Sequence, residues 1–254
     1  MNILLANDDG INAEGIRQLA KALRSLGDVY VFAPDRQRSA SSHALTIEKQ
    51  LTIAREDFPG AKEAYSVDGT PADCVKLGIY ALRDRGIDVD IVYSGINHGG
   101  NLGSDTMYSG TVSAAAEGAF LGKPAVAVSV ASHTPHYFDT ARLLAKRVLP
   151  FALETGNRRN VVSINAPDLP LDEVKGVVPA KLGLMEYKER FDVVDKTTDS
   201  VIFQYSGSPC HSTDWGEDTD ALLIRRGYAA ISMIKYDLND YEGLDVIKKW
   251  GIKL

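Results

Sequence analysis

The stretch NILLANDDGINAEGIRQLAKALRSLGDVYVFAP, Asn2 to Pro34, decides the fold class. Ile3, Leu4, Leu5 and Ala6 form a near-continuous apolar run, the pattern of a strand covered on both faces in a parallel sheet. After Gly10 the apolar positions Ile16, Leu19, Ala20, Leu23 and Leu26 recur at three- and four-residue steps, which predicts an amphipathic helix ended by Gly27. Asp28 to Pro34 is a second compact apolar run. Strand, helix and strand with short connections make a βαβ unit, and such units are almost always parallel and right-handed. The fold class is therefore α/β, with a doubly wound, mostly parallel sheet.

The alternation continues outward from this unit. Asp35 to Thr46, DRQRSASSHALT, is polar, small and without period, hence a loop. Ala64 to Val67 reads as a short strand turning at Asp68 and Gly69, after which Thr70 caps a helix with Pro71 at its first position and Asp73 in its first turn, running to about Arg83. Asp90 to Tyr93 is a strand that empties into a glycine-rich loop, Ser94 to Gly110. The small-residue run after Gly110 predicts a helix packed closely on the sheet, and Pro124 to Val130 is the most strand-like segment of the chain. A helix over Pro135 to Glu154 follows, with Leu143, Leu144, Val148 and Phe151 on one face, and then a strand over Asn160 to Asn165. From about Asp172 the alternation fails. Val174 to Val178, Phe191 to Val194 and Val201 to Tyr205 read as strands with no helices between them, so residues 172–227 are expected to form an antiparallel hairpin excursion used in oligomer contacts, within a single domain spanning 1–254. Tyr228 to Ile234 returns as a strand, and Leu244 to Trp250 as a terminal helix.

The composition narrows the function classes. With 254 residues, 44% hydrophobic and 24% charged, the chain can bury a full core. A net charge of −6 carries no electrostatic footprint for duplex nucleic acid or an anionic membrane surface. Cys74 and Cys210 fit no zinc or redox spacing, and no apolar run approaches the length of a membrane span. These features predict a cytoplasmic protein.

Three segments emerge at carboxyl ends of parallel strands, where open α/β folds bind ligands: Asn7-Asp8-Asp9-Gly10, the Asp35–Thr46 loop, and Ser94 to Asn101, SGINHGGN. They bring carboxylates from Asp8 and Asp9, hydroxyls from Ser39, Ser41 and Ser42, and side-chain carbonyls from Asn97 and Asn101. Two carboxylates with neutral oxygens suit a hard cation, Mg²⁺ or Mn²⁺, better than zinc or copper. A solvated Asx turn at Asp8 and Asp9 is the alternative. At the end of the glycine-rich loop, Ser109, Gly110 and Thr111 open the alanine-rich helix, whose free amides make an anion site suited to phosphate, or are simply capped by Ser109. A hard cation beside phosphate implies phosphoryl chemistry.

NDDG, APDRQRSASSHALT (Ala33 to Thr46), VDGTPADCV (Val67 to Val75) and SGINHGGNLGSDTMYSGTVSAAAEG (Ser94 to Gly118) together resemble SurE, the survival-protein family of metal-dependent 5'/3'-nucleotidases. The resemblance is dense over the first half and thins later, to INAPDLP (Ile164 to Pro170), the segment around Asp218, and GYAAIS (Gly227 to Ser232). The tail MIKYDLND departs from the family pattern. The resemblance implies a Rossmann-like domain with a β-hairpin extension and a terminal segment exchanged between subunits, in a homodimer or homotetramer. It implies one divalent metal held by Asp8, Asp9, Ser39 and Asn97, with the phosphate at Ser109, Gly110 and Thr111 and Asn101 as a further contact. It also implies release of phosphate from nucleoside 5'- and 3'-monophosphates, short polyphosphate being a further candidate substrate. Water or one of the catalytic aspartates, Asp8 and Asp9, delivers the nucleophile. The aspartyl-phosphate route of haloacid-dehalogenase-type phosphatases needs two aspartates separated by one residue, and here they are adjacent. A nucleotide- or phosphate-binding regulatory module without turnover is the rival reading. His43, His98, Arg36, Arg38, Asp68 and Tyr108 lie in or beside the same loops, as candidate proton donors, phosphate attractors or stacking groups, or as ordinary surface and turn residues.

Overall fold

The computed structural model describes residues 1–155, 160–210 and 216–252. Its centre is a nine-stranded sheet made by β1 (Asn2–Ala6), β2 (Asp28–Pro34), β3 (Ile53–Arg55), β4 (Glu63–Val67), β5 (Ile91–His98), β6 (Ala125–Val130), β7 (Asn160–Ala166), β8 (Val177–Pro179) and β13 (Ala229–Lys235), in the order β3-β4-β2-β1-β5-β6-β7-β13-β8. Pairing is parallel from β4 through β7, whereas β3 and β13 run antiparallel to their neighbours β4 and β7. This is the mostly parallel, doubly wound architecture expected from the alternating pattern.

Two layers of helices explain the apolar run of β1. Side chains alternate across a strand. Ile3 and Leu5 pack under α1 (Glu14–Leu23) and α4 (Asp139–Thr155), while Leu4 and Ala6 face α2 (Pro71–Asp84) and α3 (Gly110–Phe120), all four fully buried. Each large aliphatic side chain so buried contributes roughly 1.5–3 kcal/mol. On β6 the alternation matches helix size: Val126, Val128 and Val130 meet α4, while Ala125 and Ala127 meet the alanines of α3. α2 begins with a reciprocal capping box, in which Thr70 Oγ1 accepts the Asp73 amide and the Asp73 carboxylate accepts the Thr70 amide.

Four local expectations are corrected. Strand β5 does not stop at Tyr93 but runs to His98, passing an irregularity between Ser94 and Asn97 in its pairing with β6. Gly95 makes this possible: its φ is +125°, and a Cβ there would run into the Val128 carbonyl. Polar and glycine residues read as loop because a bulged central strand lacks the apolar run that marks a strand. Helix α4 starts at Asp139, and its buried face is Ala141, Leu144, Ala145, Val148, Leu149 and Ala152, so Phe151 lies on the solvent side, 65% exposed. The segment near Val174 is no hairpin strand, since β8 joins the main sheet parallel to β13. Finally, the short helix α5 (Asp220–Arg225) sits inside the expected excursion.

The antiparallel part of that excursion consists of β9 (Glu186–Lys188) with β12 (Ser208–Cys210), and β10 (Phe191–Lys196) with β11 (Val201–Tyr205). Residues 211–215 lie outside the described residues. A terminal helix, α6 (Tyr241–Lys249), buries none of its residues against the rest of the chain. Among the described residues no helix is long and apolar enough to cross a membrane.

Candidate functional site

The carboxyl ends of β1, β2 and β5 open on one cavity of about 850 Å³. Asp8, Ser39, Asn97, Asn101 and Ser109 line it, so the loops after three separate strands and the start of α3 contribute to the same space. The loops are tied together by backbone. The Arg38 amide donates to the Asp8 carbonyl at 2.7 Å, and the Ser42 amide to the Tyr108 carbonyl at 3.1 Å.

Asp8 occupies the position to which the N-terminus of α3 points. The Thr111 hydroxyl donates to Asp8 Oδ1, and the Thr111 amide also supports the carboxylate. Gly110 lets the helix come this close: a Cβ there would lie 2.8 Å from Asp8 Cβ and 2.9 Å from Ser41 Oγ. Burial pushes the Asp8 carboxyl up to about 6, against the Thr111 hydroxyl bond that lowers it and with the adjacent Asp9 charge raising it further. Asp9 is also raised by burial; the His98 amide, which donates to Asp9 Oδ2 at 3.0 Å, and the nearby His98 and His133 rings pull the other way. Asp8 lines the cavity, whereas Asp9, half-buried and bonded to the His98 amide, is not among its lining residues; two adjacent carboxylates raised by burial make an arrangement that a cation would relieve.

Ser39 Oγ accepts a hydrogen bond from Gln37 Nε2 at 2.8 Å. Asn97 spends its Nδ2 on the Gly99 carbonyl at 2.8 Å, which leaves Oδ1 as the atom available to a ligand. Asn101 is locked from the neighbouring strand, its amide donating to Asn165 Oδ1 at 2.9 Å, its carbonyl accepting from Asn165 Nδ2 at 3.0 Å, and its own Nδ2 donating to Ser129 Oγ at 2.8 Å. Ser109 caps α3, with Oγ accepting the Val112 amide at 3.0 Å. The hydroxyls of Ser109 and Thr111 thus both have protein partners, and with the Thr111 amide on Asp8 and the Val112 amide on Ser109, the Gly110 amide is the donor of the first turn free to meet an anion. Among the described residues no three His, Cys, Asp or Glu side chains form a metal cluster. The donors at hand are the two carboxylates plus hydroxyl and amide oxygens, which fit a hard divalent cation and not zinc.

The other loop residues separate. His43 points away from the cavity, to Glu117 on α3, and its ring stacks on Phe120. Asp68 builds its turn, Oδ1 accepting the Thr52 amide at 2.8 Å and the carbonyl accepting from Arg38. Arg36 and Arg38 pair with Asp35. Tyr108 stands on the rim, 66% exposed, and His98 lines the cavity with its ring against Phe138.

Sequence reasoning missed part of the lining. His133 from the loop after β6, and Tyr187, Glu189 and Tyr205 from the base of the hairpin, also line the cavity. The Tyr187 hydroxyl donates to Asp105 on the short 3-10 turn Gly103–Met107, and Asp220 on α5, fully buried, accepts the Gly103 amide at 2.8 Å and the Gly183 amide at 3.3 Å. No local pattern marks these residues, because the hydrogen bonds that set this part of the lining join positions 37, 82 and 117 apart.

The family described as Survival protein SurE matches residues 3–189. This chain belongs to the SurE family. Among SurE relatives, the 5'-nucleotidase SurE of Aeromonas hydrophila is 40% identical over 252 residues, covering 98% of each chain. The 5'/3'-nucleotidase SurE of Proteus mirabilis is 42% identical, covering 98% of this chain and 96% of its own. The crystal structure of the SurE protein from Aquifex aeolicus superimposes with a TM-score of 0.83 at 35% identity, over 98% of this chain and 99% of that one. The SurE match thus includes every cavity-lining residue discussed above except Tyr205, and the full-length relatives extend it through the tail.

Proposed function

We propose that this chain is a divalent-metal-dependent nucleotidase that hydrolyses nucleoside 5'- and 3'-monophosphates to nucleoside and inorganic phosphate. The observation that carries the reading is the convergence of Asp8, after β1, Ser39, on the loop after β2, and Asn97, near the end of β5, on one cavity beside the N-terminus of α3. The nucleotidase names of relatives about 40% identical over nearly the whole chain support the same reading.

Asp8, Asp9, Ser39 and Asn97 would hold one cation per subunit, Mg²⁺ or Mn²⁺. That cation would neutralise charge on the phosphate and acidify a water. Thr111 keeps the Asp8 carboxylate oriented, the His98 amide does the same for Asp9, and the Gly110 amide at the start of α3 is the donor left for a phosphoryl oxygen. The wall of Tyr187, Tyr205 and Tyr108 is open to the organic part of the ester, with room that would also admit a short polyphosphate. Exposed apolar residues on β10 and β11, including Phe191, Val193 and Phe203, and on and just after α6, including Leu244, Ile247 and Trp250, support assembly with further copies of the same chain. The two free cysteines fit a reducing, cytoplasmic setting.

Phosphate release measured over a panel of nucleotides with Mg²⁺, Mn²⁺ or Co²⁺ tests the reading, with Asp8→Asn and Asn97→Ala alongside. Each substitution is expected to lower turnover on the order of 10²-fold or more with the fold retained. Wild-type activity in both variants would overturn the site. Nucleotide-induced stabilisation without any phosphate release would mark a binding module instead.

A further inference from the structure

The loop that carries Ser39 is held in a conformation it would not adopt alone. Ala40 and Ser42 have φ of 53° and 51°, the left-handed region that residues with a Cβ disfavour. Two such residues flank Ser41, whose Oγ is buried without a protein partner next to Gly110. Backbone held this way persists only where surrounding contacts over-determine it.

Most of those contacts are ordinary hydrogen bonds, such as Ser42 Oγ to the Met107 carbonyl at 2.7 Å and Thr70 Oγ1 to the Ala44 carbonyl at 2.7 Å. One is not. Glu117 lies on α3 among alanines and glycines and is only 3% exposed, an unfavourable place for a carboxylate unless it is paired. Its Oε2 accepts from His43 Nε2 at 2.9 Å and its Oε1 from Lys76 Nζ at 2.8 Å. The His43 ring is stacked on Phe120 at 5.3 Å with the planes 7° apart, and the Tyr236 ring meets it edge-on. Loop, α2 and α3 are thereby joined at one buried carboxylate, four residues along the loop from Ser39.

We propose that Glu117 is a positioning residue which, through His43, holds the Asp35–Thr46 loop in the left-handed shape that presents Ser39 and Ser41 to Asp8. The inference rests on the reading of Ser39 as a cation ligand. Neither His43 nor Glu117 lines the cavity, so their effect on cation binding passes through the loop.

Three variants test it: Glu117→Gln, His43→Phe, which keeps a ring on Phe120 but deletes the donor, and His43→Gln, which keeps a donor. Mn²⁺ affinity is read from the electron paramagnetic resonance of free Mn²⁺, and loop anchoring from the rate of tryptic cleavage after Arg36 and Arg38. Glu117→Gln and His43→Phe are expected to weaken Mn²⁺ binding roughly tenfold, to speed cleavage, and to recover most of their kcat at saturating Mn²⁺, while His43→Gln stays closer to wild type. Mn²⁺ affinity and cleavage within twofold of wild type for Glu117→Gln and His43→Phe would overturn the proposal. So would losses that His43→Gln does not relieve. A wild-type protein that binds no Mn²⁺ would remove the metal reading, and the cleavage rates would still decide the anchor.

Discussion

Substituting Gly110 by alanine tests the closest approach in the site. A Cβ at this position lies 2.8 Å from Asp8 Cβ and 3.0 Å from Asp8 Oδ2, against ordinary contacts from 3.4 Å, so about 0.6 Å must be found. Asp8 cannot simply swing aside. Its carbonyl is bonded to the Arg38 amide at 2.7 Å and its carboxylate to Thr111, so the strand end and the first turn of α3 must part. Overpacking of this kind costs about 1–3 kcal/mol, offset by up to ~1 kcal/mol of gained helix propensity. For a chain of this size the net change lowers Tm by no more than several degrees. Activity should suffer more. Cation ligands tolerate about 0.2 Å, and a misplacement of about 1 Å can cost roughly 10²-fold, so Gly110→Ala should lose roughly 10- to 10²-fold in phosphate release at saturating Mn²⁺ while unfolding cooperatively near the wild-type temperature. Activity within twofold of wild type, with Tm unchanged, would refute the claim that the helix start and Asp8 are in forced contact.

Asp220→Ala removes the buried acceptor of the Gly103 and Gly183 amides and should destabilise the fold by about 2–4 kcal/mol, read as a lower urea midpoint at unchanged slope. Glu63 sets a pH dependence. The Arg85 guanidinium beside it, with bonds of 2.6 and 2.7 Å, holds its carboxyl at about 2, so the pair's contribution is fully present above about 4.5 and is lost as pH falls towards 2. Arg85 is 43% exposed, so solvent screening keeps this contribution small. Urea midpoints measured from pH 6 down to pH 3 should show this drop, and Arg85→Ala should flatten that part of the curve.

Apolar periodicity, with capping and turn residues, is a local property, and it determined the alternation of strands and helices in the first two thirds of the chain, the parallel sheet at the core and the ends of strands where ligands gather. Asp28–Pro34 matches β2 residue for residue, and Pro71 opens α2, because a buried run and a capping box are written in neighbouring residues. The same logic pointed to Asp8, Asn97, Asn101 and Ser109 near strand ends, the resemblance to SurE singled out Ser39 among three loop serines, and all five line one cavity. Local pattern failed where a long-range contact overrides it. The bulge in β5 depends on the Val128 carbonyl, and the exposed side of α4 is chosen by the sheet beneath it, not by the hydrophobicity of Phe151. The partner of Asp8 is Thr111, 103 residues away, and the lock on Asn101 is Asn165, 64 residues away. The hairpin wall of Tyr187 and Tyr205 is equally remote in sequence. Only the tertiary structure decides such pairs, because a hydrogen bond is selected by position in space, and distances along the chain of this length leave that position open until the sheet has formed.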